Sequence, residues 1–110
     1  MVQSMKTLEE RRLEFDTELR ELLQTQNTYY EPPASVRMKY PCVVYSRGSL
    51  DNTWAGDHRY VGRIRFMITT ISTNPDNEWP QLILEHFQRV RYDRHYNADG
   101  LSHDVLMLYY

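Results

Sequence analysis

One stretch limits the folds open to this chain of 110 residues more than any other: Tyr60-Val61-Gly62-Arg63-Ile64-Arg65-Phe66-Met67-Ile68-Thr69-Thr70-Ile71-Ser72. It is the longest run rich in β-branched and aromatic residues, the types that fit a pleated surface. Read with period two, Tyr60, Ile64, Phe66 and Ile68 share one face, and Val61, Arg63, Arg65, Met67 and Ile71 share the other. That alternation describes a strand with one face on a core and one face partly wet. At about 13 residues it is more than twice the usual strand length of roughly 5–6. A strand that long projects beyond its own sheet, into solvent or toward a neighbour.

The remaining elements can be placed around it. Thr7-Leu8-Glu9-Glu10 has the capping-box form, and Leu8, Phe15, Leu19, Leu22 and Leu23 follow at helical spacing, which predicts a helix over residues 7–25. Asp16 and Arg20 are spaced to pair on it, and Leu13 lies on the opposite side from Phe15. Tyr29 to Ala34, with Pro32 and Pro33, reads as an extended surface crossing. Pro41 to Ser46 reads as a short strand. Residues 47–59 then read as a connection too long for a tight turn, with Trp54 inside it to pack on its own domain or on a partner. After the turn residues Asn74-Pro75-Asp76-Asn77, a second helix is expected from Pro75 or Pro80 to Gln88, with Trp79, Leu82, Ile83 and Phe87 as its apolar stripe. Arg89 to Tyr96 and His103 to Tyr110 read as two strands joined by a turn at Asn97-Ala98-Asp99-Gly100. The order is α-β-β-α-β-β. The expected fold class is α+β: a single domain over residues 1–110, with two helices on one face of a four-stranded, mostly antiparallel sheet.

Bulk properties narrow the function classes. A chain of this size buries about two thirds of its unfolded surface and needs no staples. The net charge is −2 with acid and base interspersed, so no basic tract points to nucleic acid or to a membrane surface. No apolar segment approaches the roughly 18–20 residues of a membrane span. The N-terminal residues lack the apolar run of a secretory signal. The single cysteine, Cys42, sits in the apolar run Pro41–Tyr45 and reads as a small buried hydrophobe in a reducing compartment. The unusual count is nine tyrosines, a residue that serves both as strand filler and as an interface anchor.

Chemistry-bearing constellations are few. Asp93, His95, His103 and Asp104 fall on facing strands of the last hairpin, where they would either ligate a metal or hydrogen-bond across a wet face. A catalytic His–Asp pair there would need a nucleophile, and Ser102 is beside it without a glycine-lined elbow. Arg63, Arg65, Arg89, Arg91 and Arg94 alternate with aromatics, a pattern shared by single-strand nucleic-acid binders and by solvated sheet faces. The four glycines, at 48, 56, 62 and 100, form no phosphate-cradling loop. These readings point to a protein that is not an enzyme, with no catalytic residues, no metal and no cofactor. The candidate interface residues are Trp54, Asp57, His58, Arg59, Arg63, Arg65, Tyr109 and Tyr110.

Three segments carry a resemblance: Tyr40-Pro41-Cys42-Val43-Val44-Tyr45, the Asn74-Pro75-Asp76 turn, and Arg91-Tyr92-Asp93-Arg94-His95-Tyr96 through Leu101-Ser102-His103-Asp104 to the aromatic end. Together they resemble the tail terminator, or tail completion, proteins of the bacteriophage neck. The resemblance implies a structural virion protein that forms a hexameric ring. Such a ring caps the tail tube and meets the head–tail connector or stopper protein. DNA passes through its lumen without base recognition, and no membrane is involved. The implied location is the virion tail and neck, reached from the host cytoplasm during assembly. A head-completion or stopper subunit, or a nucleic-acid-binding module using the Arg/Tyr strands, are the alternatives. A ring needs one patch to meet a different patch on the next copy. The Asp51–Arg59 segment is the expected reaching element, and its deletion over Asp51–Asp57 is expected to leave a folded monomer that forms no rings.

Overall fold

The computed structural model describes residues 6–55 and 58–110, with the backbone alone at 52–55 and 58–61. The first helix, α1, spans Leu8–Leu23. The Thr7 hydroxyl accepts a hydrogen bond from the Glu10 amide at 3.1 Å, and the Glu10 carboxylate accepts one from the Thr7 amide at 3.3 Å. This reciprocal cap fixes where the helix starts, and the Thr7 hydroxyl contributes about 1 kcal/mol of it. The helix ends without glycine: Gln24 itself takes the left-handed conformation, at φ 51°. Asp16 pairs with Arg20 at 2.8 Å, and Arg20 also donates to the Thr28 hydroxyl, tying the helix to the strand that follows.

Five strands and one more helix complete the fold: β1 (Thr28–Tyr30), β2 (Cys42–Ala55), β3 (His58–Ser72), α2 (Trp79–His86), β4 (Val90–Ala98) and β5 (Leu101–Tyr109). They form one mixed sheet in the order β1-β2-β3-β5-β4. This corrects the expected four-stranded sheet and its α-β-β-α-β-β order. The added strand is β1, which pairs in parallel with β2 through Thr28–Val43, Tyr29–Val44 and Tyr30–Tyr45. Three residues are too few to display a period, so β1 is formed by its neighbour rather than by its own sequence. Residues 31–41 supply the crossover that a parallel pair needs.

A second correction concerns residues 47–59. Instead of a long irregular connection, β2 and β3 continue as a hairpin, paired from Asn52–Val61 to Ala55–His58. The ladder is interrupted twice, between Arg47 and Leu50 and between Leu50 and Asn52. The first irregularity places an extra residue on β2 at Gly48-Ser49, and the second places one on β3 at Gly62-Arg63, so the register returns to its starting value. Each bulge contains a glycine, the residue that accommodates bulged backbone.

The core lies between the two helices and one face of the sheet. Phe15 is fully buried at its centre. Its ring stacks on Phe66 at 4.5 Å and meets the rings of Tyr110 at 5.0 Å, Tyr45 at 5.4 Å and Phe87 at 5.7 Å. Each such pair is worth about 0.5–1.5 kcal/mol beyond area burial. Leu19, Leu23, Ile64, Ile68, Ile83, Leu106 and Leu108 close around it. The last hairpin turns at Asp99 (φ 54°) and Gly100 (φ 74°), the two left-handed residues of a type I′ turn.

Candidate assembly surface

The molecule measures 53 × 26 × 23 Å, and its length follows from the β2–β3 hairpin. On the body side, β3 is flanked by β5 from Ser72 back to Arg65, and Ile64 exchanges two backbone hydrogen bonds with Tyr110 at 2.9 and 3.1 Å. Past Ile64 no third strand follows among the described residues. The remaining residues, 50–55 and 58–63, form a two-stranded arm reaching roughly 20 Å at about 3.3 Å per residue. Its root is held by α1: the Arg11 guanidinium donates to the carbonyls of Gly62 at 2.8 Å and Tyr110 at 3.2 Å.

The outer edge on the other side is β4. Residues 91–97 are all exposed, and β4 pairs only with β5 among the described residues. A bulge at Asp93 shifts the register between Tyr92 and Arg94. Its effect is to place Tyr92 and His95, three residues apart, on the same face. Both converge on buried Asp104, whose Oδ1 accepts from the Tyr92 hydroxyl at 2.6 Å and from His95 Nδ1 at 2.8 Å. Desolvation of the Tyr92 hydroxyl, reinforced by the adjacent carboxylate, pushes its pKa up to about 12. The other two members of the sequence cluster go elsewhere. His103 stacks on Tyr96 at 4.6 Å on the opposite face and bonds its own Leu101 carbonyl, and Asp93 pairs with Arg94. Among the described residues no three His, Cys, Asp or Glu side chains are placed to hold a metal ion. Ser102 donates to Asn97, away from His95. The hairpin quartet therefore splits into a His95–Asp104 contact on one face, a His103–Tyr96 stack on the other, and an Asp93–Arg94 pair within β4.

Both helices pack on one face of the sheet, so among the described residues the other face has no helical layer. Val44, Met67, Thr69 and Met107 are half-buried there, and Arg65, Arg91, Arg94 and Tyr109 surround them. The Arg65 guanidinium lies over Gly48: a Cβ at that position would come within 2.7 Å of Arg65 Nε. Glycine at 48 thus serves both the bulge and the arginine.

Of the candidate interface residues, Arg63 and Arg65 are half-exposed at the root of the arm, and Tyr109 is 36% exposed on the helix-free face. Tyr110 turns inward, packing on Phe15 and donating to Glu18 at 3.2 Å, so it belongs to the body. The side chains of Trp54, His58 and Arg59, and the whole of Asp57, lie outside the described residues. Sequence reasoning missed β4 as an edge and the bulge pair at the arm root. Gly62, isolated inside the long strand-forming run, was the available signal for its bulge, whereas Gly48 fell in what read as a connection. Compared with known proteins, the chain matches no family model, no curated protein and no solved structure.

Proposed function

We propose that this chain is a structural assembly subunit, and specifically a tail-terminator-type protein whose copies form a ring that caps a phage tail tube and meets the head connector. The observation that carries the assembly part is the arm. A two-stranded hairpin with no further strand is marginal in water on its own, and here it extends past the last rung shared with Tyr110. An element of that kind gains its order from a second body. The exposed β4 edge and the arginine-bordered, helix-free face offer further contact area of the Tyr/Arg type found in protein interfaces. The neck station comes from the sequence resemblance alone.

The experiment is native mass measurement with negative-stain imaging of the purified chain. The unaltered chain is expected to give a closed ring. A variant with residues 52–61 replaced by an Asn-Gly turn is expected to give a folded monomer. An unaltered chain that stays monomeric at high micromolar concentration removes the reading. Addition of the ring to purified tail tubes tests the station: a terminator covers the tube end, whereas a stopper subunit binds only to head connectors. The arginines of the helix-free face support a second reading, nucleic-acid binding. That reading requires DNA affinity falling steeply with salt.

A further inference from the structure

We infer that copies of this chain join head to tail by strand addition: the outer edge of β2 in the arm, residues 50–55, hydrogen-bonds antiparallel to the outer edge of β4, residues 91–97, of the next copy. This rests on the assembly reading and names the contact that makes the ring.

Among the described residues the sheet leaves three backbone edges open: β2 beyond Gly48 on one side, and on the other β4 along its length and the shorter stretch of β3 before Ile64. Close to the body β2 is closed off by β1 at residues 43–45. Glu31 extends that closure, its amide donating to the Tyr45 carbonyl at 2.9 Å and its carboxylate accepting from the Arg47 amide at 3.3 Å. From Gly48 to Ala55, β2 has β3 on one side and no other strand among the described residues. At the far side β4 is in the same position along its whole length. Open rows of N–H and C=O groups are templates for a further strand.

Charge and edge length together select which edges meet. β4 carries Arg91 and Arg94 against Asp93, and Arg89 adjoins it. The arm strand Leu50–Ala55 carries Asp51 and no base, whereas residues 58–65 carry His58, Arg59, Arg63 and Arg65 and no acid. Pairing β4 with β4 across a two-fold axis between Tyr92 and Asp93 sets Arg91 against Arg94. Pairing two β2 edges sets Asp51 against Asp51, and pairing the β3 edge with β4 again opposes like charges. A β2–β3 contact would bring Asp51 to Arg59 and Arg63, whereas the β2–β4 combination brings it to Arg91 and Arg94 along the longer open edge, and like charges opposite one another destabilise a sheet. Because it joins two different patches, it is a heterologous contact, which closes into a ring or propagates as a fibre. The bulge at Asp93 twists the β4 edge and restrains indiscriminate pairing.

Strand direction agrees with this. Each of the neighbouring pairs β2–β3, β3–β5 and β5–β4 is antiparallel, so β2 and β4 run in opposite senses within one copy. A second copy set beside β4 in the same orientation presents its β2 antiparallel. The arm stands beyond the end of β4, so the strands of neighbouring copies are staggered. In a ring this inclines them to the axis, as in closed barrels with tilts of about 35–45°.

The test uses charge reversal at exposed positions and native mass measurement at fixed concentration. Asp51→Lys alone, and Arg91→Glu with Arg94→Glu, are each expected to give folded monomers by circular dichroism. The three together are expected to restore the ring. In parallel, Thr53→Cys and Arg94→Cys placed in one chain are expected to give a covalent ladder with a short bis-maleimide. Either cysteine alone is expected to give none, and buried Cys42 serves as the unreactive background. Rings that survive Asp51→Lys and yield no ladder overturn this contact while leaving the assembly reading intact. A wild-type chain that never assembles overturns both.

Discussion

On the body side of the two bulges, β3 is hydrogen-bonded on both flanks, and its residues Ile64, Phe66 and Ile68 are sealed under the helices. On the arm side the same strand has β2 as its single neighbour. The sequence does not weaken across this boundary: Tyr60 and Val61 are as strand-prone as Ile68 and Thr69. The difference lies in what surrounds them. The body is stabilised by burial, whereas the described part of the arm shows one ladder, the joint at Arg11 and, at its root, Leu50 against the core. A strand can thus be specified locally over its full length and yet be flanked on both sides over only part of it.

That contrast can be broken or sharpened by experiment. The largest effect is expected at the centre of the body. Phe15→Ala removes a fully buried ring with four aromatic neighbours and is expected to cost about 3–5 kcal/mol, read by urea denaturation. A loss below about 1 kcal/mol would mean that the body is no better packed than the arm.

The next effect is alkaline. Tyr45, buried against Asp16, is held protonated well above its ordinary value, chiefly by burial, and Tyr92 and Tyr110 are each pushed up to about 12. A raised phenol pKa favours the neutral form in the folded state. The contribution is therefore complete below pH ~10 and is lost as pH rises toward 12. Melting temperature is expected to fall across that window, and Tyr45→Phe is expected to shallow the fall. A melting temperature that is flat to pH 12 contradicts this account of the body.

At the joint, Arg11→Met removes the donors to Gly62 and Tyr110 and is expected to cost roughly 1 kcal/mol. Amide exchange should rise at residues 58–63 more than at 66–70. Equal acceleration in both would show that Arg11 serves the body rather than the arm. The smallest effect is expected from removing the arm itself. Replacing residues 52–61 by Asn-Gly should leave monomer stability within about 0.5 kcal/mol, even as it abolishes assembly. A large loss would mean that the arm packs on its own domain.

Much of this was legible from residue order. The helix at Thr7, the apolar set of Phe15, Leu19 and Leu23, the alternation of Ile64, Phe66 and Ile68, and the Asp99-Gly100 turn all depend on contacts within a few residues. Local period and capping chemistry suffice for them. The open candidate surface was only half legible. An over-long strand foretold projection, but Trp54 in an apparently polar stretch masked the second strand of the arm, because Asn52, Thr53, Gly56 and Asp57 all read as turn residues.

Amino-acid order by itself determined the two helices, the long strand and the closing hairpin, because each is a matter of spacing along the chain. Only the tertiary structure decided that Thr28–Tyr30 would be a strand, that Asp93 would bulge and turn His95 onto Asp104, and that β2 and β4 would be left with open edges on opposite sides. Those outcomes depend on which strand lies beside which, and neighbours in a sheet are chosen by burial and hydrogen-bond completion across the whole domain.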